Sequence, residues 1–332
     1  MVKSAARMQE SVSRQSLSIH AALLLVIASW GANFVAVKTL VQLVTPVEMT
    51  ALRLVLAACC FLVLLMIRRE RPMIARSDWP RLVLVSLLGL PANTLALAMG
   101  SRLIPAAVAS LIVSLNPIFT AVVSRLLIGE AITWPKRLGI GIAFLGFLII
   151  LRFGSPGAHF NGANVYGALL TLLAPLSWAF YTVLSKPLVA RYAPLELTAS
   201  VVMLGALPLA PVVLVSRHLH YALRVFPAVG WLALFISAVL ALALAFTLWY
   251  RALRILTPVQ LAVYIYLTPF FGVLSARLVL GEQLTPFVLL GGLLILLGVM
   301  VTNTSQLGKL VYAYPRLRRA NTHLHREEAS DE

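Results

Sequence analysis

Apolar runs of close to twenty residues, each ended by a short polar or basic break, recur from one end of the chain to the other. They lie at about 20–40, 47–67, 82–101, 104–127, 137–153, 164–185, 196–215, 228–250, 258–279 and 286–305. A helix needs roughly 20 apolar residues to cross a bilayer core. The pattern therefore predicts an all-α integral membrane protein of ten transmembrane helices. Polar, basic sequence precedes them (1–17), and a basic stretch that turns acidic follows (306–332). Both read as solvated or interfacial tails. Between the fifth and sixth runs, 154–163 is rich in glycine and is too short for a domain of its own.

The runs are written twice. NPIFTAVVSRLLIGEAIT at 116–133 returns as TPFFGVLSARLVLGEQLT at 268–285, and at this offset of 152 the positions 117–146 carry 11 identities in 30. From Trp30, WGANFVAVKTLVQLVTPVEMTA meets WAFYTVLSKPLVARYAPLELTA from Trp178 at an offset of 148, with nine identities in 22. Chance agreement in apolar sequence is about one position in ten, so this is an internal duplication. Two units follow, 18–153 and 164–305, each of five spans. Five is odd, so the second unit enters the membrane from the opposite face and the copies are related by an axis in the membrane plane. Pro117 and Pro269 each interrupt an apolar helix and are expected to kink it, freeing the carbonyls of Val113 and Ile265. Gly129 and Gly281 suit left-handed helix ends, and Thr133 and Thr285 suit the caps of the helices that follow.

Composition agrees with the pattern: 61% hydrophobic residues against 11% charged, with a mean hydropathy of +0.94, exclude an ordinary soluble protein. A net charge of +16 would suit nucleic acid, but the basic residues sort by membrane side instead. With the N-terminus inside, inner segments hold 20 of the 27, outer loops hold six, and Arg53 lies within the second span. This bias predicts that both termini are cytoplasmic, and no nucleic-acid partner is expected. Cys59 and Cys60 are helix neighbours that point apart, which rules out a disulfide between them. The bulky Trp30 occupies the region where a signal peptide would need small residues, so the first run reads as a retained helix.

None of the 11 carboxylates falls in mid-span; Glu48, Glu130, Glu196 and Glu282 stand at span ends. The six histidines lie near span ends, in loops or in the tail, and the two His-x-His pairs cannot share a helical face. No metal site and no cofactor is expected. What remains for the interior is neutral and aromatic. Trp30, Asn33 and Val37 share a helical face, as do Trp178, Tyr181 and Ser185; Ser110, Ser114 and Pro117 form a third stripe with Asn116 beside it, and Tyr264, Thr268 and Phe271 a fourth. Helix packing accounts for any one of them. Because all four stripes fall on the spans with repeated motifs, the set Trp30, Asn33, Ser114, Asn116, Trp178, Tyr181, Tyr264 and Thr268 predicts the lining of a central cavity, beside the backbone freed by Pro117 and Pro269. Arg53, whose repeat mate is Val201, lies only about 9 Å along the axis from its span end and has room to snorkel. Arg53, Glu130 and Glu282 are candidates for a gate or a substrate contact.

The motifs WGANFVAVK, NPIFTAVVSRLLIGE, WAFYTVLSK and TPFFGVLSARLVLGE, the last followed by LGGLLILLG, stand in this order over 20–305. Together they resemble the drug/metabolite transporter superfamily in its EamA-type members. The resemblance implies two inverted five-helix halves around a central cavity, and export of small metabolites, amino acids among them, across a bacterial-type inner membrane. One departure is that Pro105 aligns with Thr257 rather than Pro258. The reading is a secondary or facilitative transporter working by alternating access between bilayer faces. Its neutral lining favours neutral or zwitterionic solutes. A membrane enzyme of the lipid-modifying transferase type would gather acids or histidines at one interface, which the chain does not do. A nontransporting assembly protein would move no solute.

Overall fold

The computed structural model describes residues 2–70, 72–153, 162–253 and 264–302, and the side chains of 2–18, 250 and 253 are not described. Thr257, Pro258 and the predicted C-terminal tail lie outside the described residues. All the regular structure among the described residues is helical. Seven helical stretches are long and apolar enough to cross a membrane: Ile19–Leu43, Pro46–Arg68, Arg76–Leu103, Ala106–Ile128, Gly162–Val189, Pro194–Val215 and Ala228–Trp249. Trp134–Phe153 adds 20 residues of helix, and Thr268–Leu280 and Pro286–Thr302 are shorter apolar helices.

Helix α1 (Val2–Leu43) is continuous, so the expected N-terminal tail is helical. It contains no glycine or proline before Gly31, and extending an existing helix costs little per residue. Helix α2 (Pro46–Arg68) starts at a reciprocal cap: Thr45 accepts from the Glu48 backbone while the Glu48 carboxylate accepts from the Thr45 N–H at 2.9 Å. The third span is α3 (Trp79–Leu87) and α4 (Asn93–Leu103), joined by a π-helical turn at Leu88–Ala92 around Pro91.

The fourth span breaks into α5 (Ala106–Val113) and α6 (Asn116–Ile128). Next come α7 (Trp134–Phe153), α8 (Gly162–Val189), α9 (Pro194–Ala206) and α10 (Ala210–Val215). The sequence pattern missed α11 (Arg217–Arg224), a short basic helix capped by the Ser216 hydroxyl. Helix α12 (Ala228–Leu234) and α13 (Ala245–Leu253) flank ten π-helical residues, Phe235–Leu244. Helices α14 (Thr268–Leu280) and α15 (Pro286–Thr302) complete the described chain.

The predicted kinks are breaks. Pro117 and Pro269 do not bend one helix; each sits in the first turn of a new one, α6 and α14. There a missing N–H removes no helical bond and the fixed φ suits the start. As expected, Gly129 and Gly281 end these helices in the left-handed region, at φ 70° and 65°. Thr285 accepts from the Val288 N–H at 3.2 Å.

Contacts between the copies exchange when the copies are swapped. A Cβ on Gly139 would lie 2.4 Å from the Gly298 carbonyl, and one on Gly146 would lie 2.5 Å from that of Gly291. Gly139 with Gly291 and Gly146 with Gly298 are mates at the offset of 152. So α7 crosses α15 backbone to backbone, and each contact maps onto the other. Likewise α1 packs on α14 while its mate α8 packs on α6, and α2 packs on its own mate α9.

Candidate functional site

The interior is built where α1 and α8 meet the third span of the opposite copy. A π-helical turn is wider than an α-turn and sits at functional sites more often than elsewhere; both copies have one. In the second, Ser237 and Ala241 lie on Phe235–Leu244 and become anchor points. The Trp30 indole N–H donates to the Ala241 carbonyl at 2.9 Å. The Ser237 hydroxyl donates to Asn33 Oδ1 at 2.8 Å, and the Arg53 Nε–H donates to the Ser237 carbonyl at 3.2 Å. Trp30, Asn33 and Arg53, from two helices, thus converge on one short stretch.

Aromatic rings link this point to α8. Trp30 lies 5.3 Å from Trp249 and 6.0 Å from Phe246 between ring centroids, Trp178 lies 6.5 Å from Phe246, and Tyr181 lies 4.8 Å from Trp178. Tyr264 and Phe271 pack with Trp30 and Trp249 against Val26, Ile27 and Ala245, and Tyr264 Oη lies 2.6 Å from His20 Nδ1. The predicted set is therefore joined through Trp30, Asn33, Trp178, Tyr181 and Tyr264. Three others sit at the helix breaks. Ser114 donates to its own helix, at the Ser110 carbonyl. Asn116 Oδ1 and Thr268 Oγ1, at repeat-mate positions, are buried without a hydrogen-bond partner among the described residues. Unpaired buried oxygens cost free energy unless a ligand or water meets them.

Arg53 does not snorkel. It is 7% exposed and reaches inward to the π-helix. Glu282 and Lys38 bind the ends of α4 and α5. The Glu282 carboxylate accepts from the Ala106 and Ala107 backbones at 2.7 and 3.0 Å, at the first turn of α5, where N–H groups have no helical partner. Lys38 donates to the Ser101 and Ile104 carbonyls at the end of α4, at 2.7 and 2.9 Å. Of their mates, Glu130 pairs with Lys136 at 3.1 Å, six residues along, and the exposed Lys186 side chain has no hydrogen bond or ion pair among the described residues, which leave out 254–263.

Two further contacts fasten the ends. Glu48 accepts from Ser216 at 2.5 Å and lies 2.9 Å from His218 Nδ1. Its mate Glu196 accepts from the Met73 N–H, and Asp78 beside it meets Arg191 at 3.0 Å and accepts from the Tyr192 phenol at 2.7 Å. That bond holds the Tyr192 proton and raises its pKa above the usual phenol value. A surface depression of about 390 Å³ lies among Arg125, Ala131, Ile132, Arg137 and Ile140, and a cleft of about 10 Å³ lies between Ser29 and Leu248. Neither is lined by the eight predicted cavity residues. The reading of the sequence missed Ser237, Phe246 and Trp249; the i, i+3 spacing of the two aromatics was the available signal.

The family model of the EamA-like transporter family matches this chain twice, over residues 17–152 and 165–304. The chain belongs to the EamA-like transporter family. It is thus a multi-pass integral membrane protein of a transporter family. An uncharacterized transporter of Archaeoglobus fulgidus is 30% identical over 280 residues, covering 84% of this chain and 96% of that protein. A probable terminal-alkyne amino-acid exporter of Streptantibioticus cattleyicolor is 28% identical, over 87% of this chain and 94% of its own. A probable amino-acid metabolite efflux pump of Escherichia coli is 26% identical, over 84% and 92%. A solved crystal structure at 20% identity superposes with a TM-score of 0.59, covering 86% of this chain and 98% of the other, a likeness of fold.

Proposed function

We propose that this member of the EamA-like family exports small neutral or zwitterionic metabolites, amino acids among them, by alternating access. Ten spans form two inverted halves, 18–153 and 164–305, joined by 154–163 and flanked by tails 1–17 and 306–332, with both termini cytoplasmic in a bacterial-type inner membrane. The exchanging glycine contacts of α7 and α15 support the inversion: two antiparallel helices swap under a two-fold axis lying across them. Relatives named as an amino-acid exporter and a metabolite efflux pump support the solute class.

One observation carries the mechanism. Lys38 and Glu282 tie α4 and α5 at one end. The second-copy counterparts of Ala106 and Ala107, at the offset of 152, are Pro258 and Val259, which lie outside the described residues, while Glu130 pairs with Lys136. In an inverted pair the opposite state is reached by exchanging roles, so releasing Glu282 accompanies engagement of Glu130. Solute sits between, against Trp30, Asn33, Trp178, Tyr181 and Tyr264. Ser114, Asn116 and Thr268 stand at the two helix breaks, where Asn116 and Thr268 offer the unpaired oxygens.

The test is purified protein in liposomes loaded with a panel of labelled amino acids. Flux is expected for at least one of them, with a drop of roughly tenfold or more for Trp178→Ala or Asn33→Ala, as an aromatic or hydrogen-bonding contact to solute is lost. No flux across the panel refutes amino-acid export, and flux that both variants leave intact removes these residues from the solute path.

A further inference from the structure

The duplication supplies an internal control for Arg53. Asn33 meets Ser237, and Tyr181 meets Gly89, where an added Cβ would lie 2.4 Å from the Tyr181 ring. Asn33 with Tyr181 and Arg53 with Val201 are mates at the offset of 148, and Gly89 and Ser237 each stand on the π-helical segment of the third span in their own copy. Asn33 and Tyr181 therefore each meet the π-helical segment of the opposite copy, and where the first copy carries Arg53 the second carries Val201. The second copy carries no charge at this position. Yet Arg53 is 7% exposed and spends one N–H on the Ser237 carbonyl, with no other hydrogen-bond partner among the described residues.

Nor does a carboxylate among the described residues neutralise it. Glu48 is engaged by Thr45, Ser216 and His218; Glu70 by Arg68; Asp78 by Arg191; Glu130 by Lys136; Glu196 by Met73; and Glu282 by α5. The other buried cation among the described residues, Lys136, has Glu130. A buried, unpaired guanidinium is costly within a membrane, and such groups mark solute paths. Its forked donors match the geometry of a carboxylate.

We propose that Arg53 is the carboxylate anchor of the solute site, so that the transported class is carboxylate-bearing solutes of the amino-acid kind. Ser237 and Asn33 hold the guanidinium in place, and the aromatic chain from Trp30 to Tyr181 receives the rest of the molecule. This rests on the transport reading above, and narrows it: neutral amines and amides of the same shape are poor solutes.

Binding of the twenty labelled L-amino acids and of their amides to purified protein tests the assignment. Bound acids are expected to exceed their amides by about tenfold or more. Arg53→Gln is expected to weaken acid binding roughly 10- to 100-fold and abolish the preference, with Arg53→Lys between the two. In wild-type protein, phenylglyoxal modification read at the Arg53 peptide is expected to slow when a bound amino acid is present and not when its amide is, a result independent of variant folding. An unchanged acid-to-amide ratio in Arg53→Gln, modification indifferent to ligand, or no acid bound overturns the anchor. Flux of amides or amines in liposomes would then leave transport standing, whereas no flux of any kind would remove both.

Discussion

At the scale of single residues, the proposed gate turns on one charge. Glu282 accepts two backbone N–H groups of α5, and a charge-assisted bond of this kind is worth about 1.5–3 kcal/mol. Glu282→Gln keeps the shape and loses that charge, so the closed end should open more often. Ser110 reports it, because its side chain is 1% exposed beneath Gly272 of α14. A Ser110→Cys protein is expected to react with an external impermeant maleimide roughly 10- to 100-fold faster once Glu282→Gln is added. Equal rates would show that Glu282 merely caps α5. Trp30, Asn33, Trp178 and Tyr181 were legible beforehand, since helical spacing and repetition mark them. Ser237 was not, because its role depends on a π-helical stretch that shifts which residues face inward, and the 3.6-residue period does not report that shift.

At the scale of elements, the crossing of α7 and α15 is set by glycine. The cost of any side chain there is steric: Gly139→Ala or Gly298→Ala places a Cβ 2.4 Å from a carbonyl oxygen, and overpacking of this sort costs about 1–3 kcal/mol. Thermal unfolding in detergent should fall by several degrees for either variant. Gly141→Ala, on the same helix with open space around it, should hold or rise, because alanine favours the helix. If all three behaved alike, close backbone approach would not be what joins α7 to α15. The breaks of α5 from α6 and of Tyr264 from α14 show why a proline marks the place of an interruption but not its form. The sequence located Pro117 and Pro269; whether the chain bends or restarts was decided by the turns before them, where Leu115 and Leu267 precede the new helices.

At the scale of the whole molecule, the proposed inverted arrangement predicts that tags fused at residue 1 and residue 332 are both reached from the cytoplasmic face. Opposite accessibility would exclude two five-span halves. The sequence by itself determined that the chain is membrane-embedded, helical and duplicated, because each of these is carried by composition or by spacing along the chain. It also determined which spans hold the aromatic and hydroxyl faces. Only the tertiary structure decided that Asn33 and Tyr181 each meet the π-helical segment of the opposite copy, that Arg53 turns inward, and that Lys38 and Glu282 bind the ends of α4 and α5. Those facts depend on which distant backbone each side chain meets, and apolar helices of similar composition leave that choice to packing.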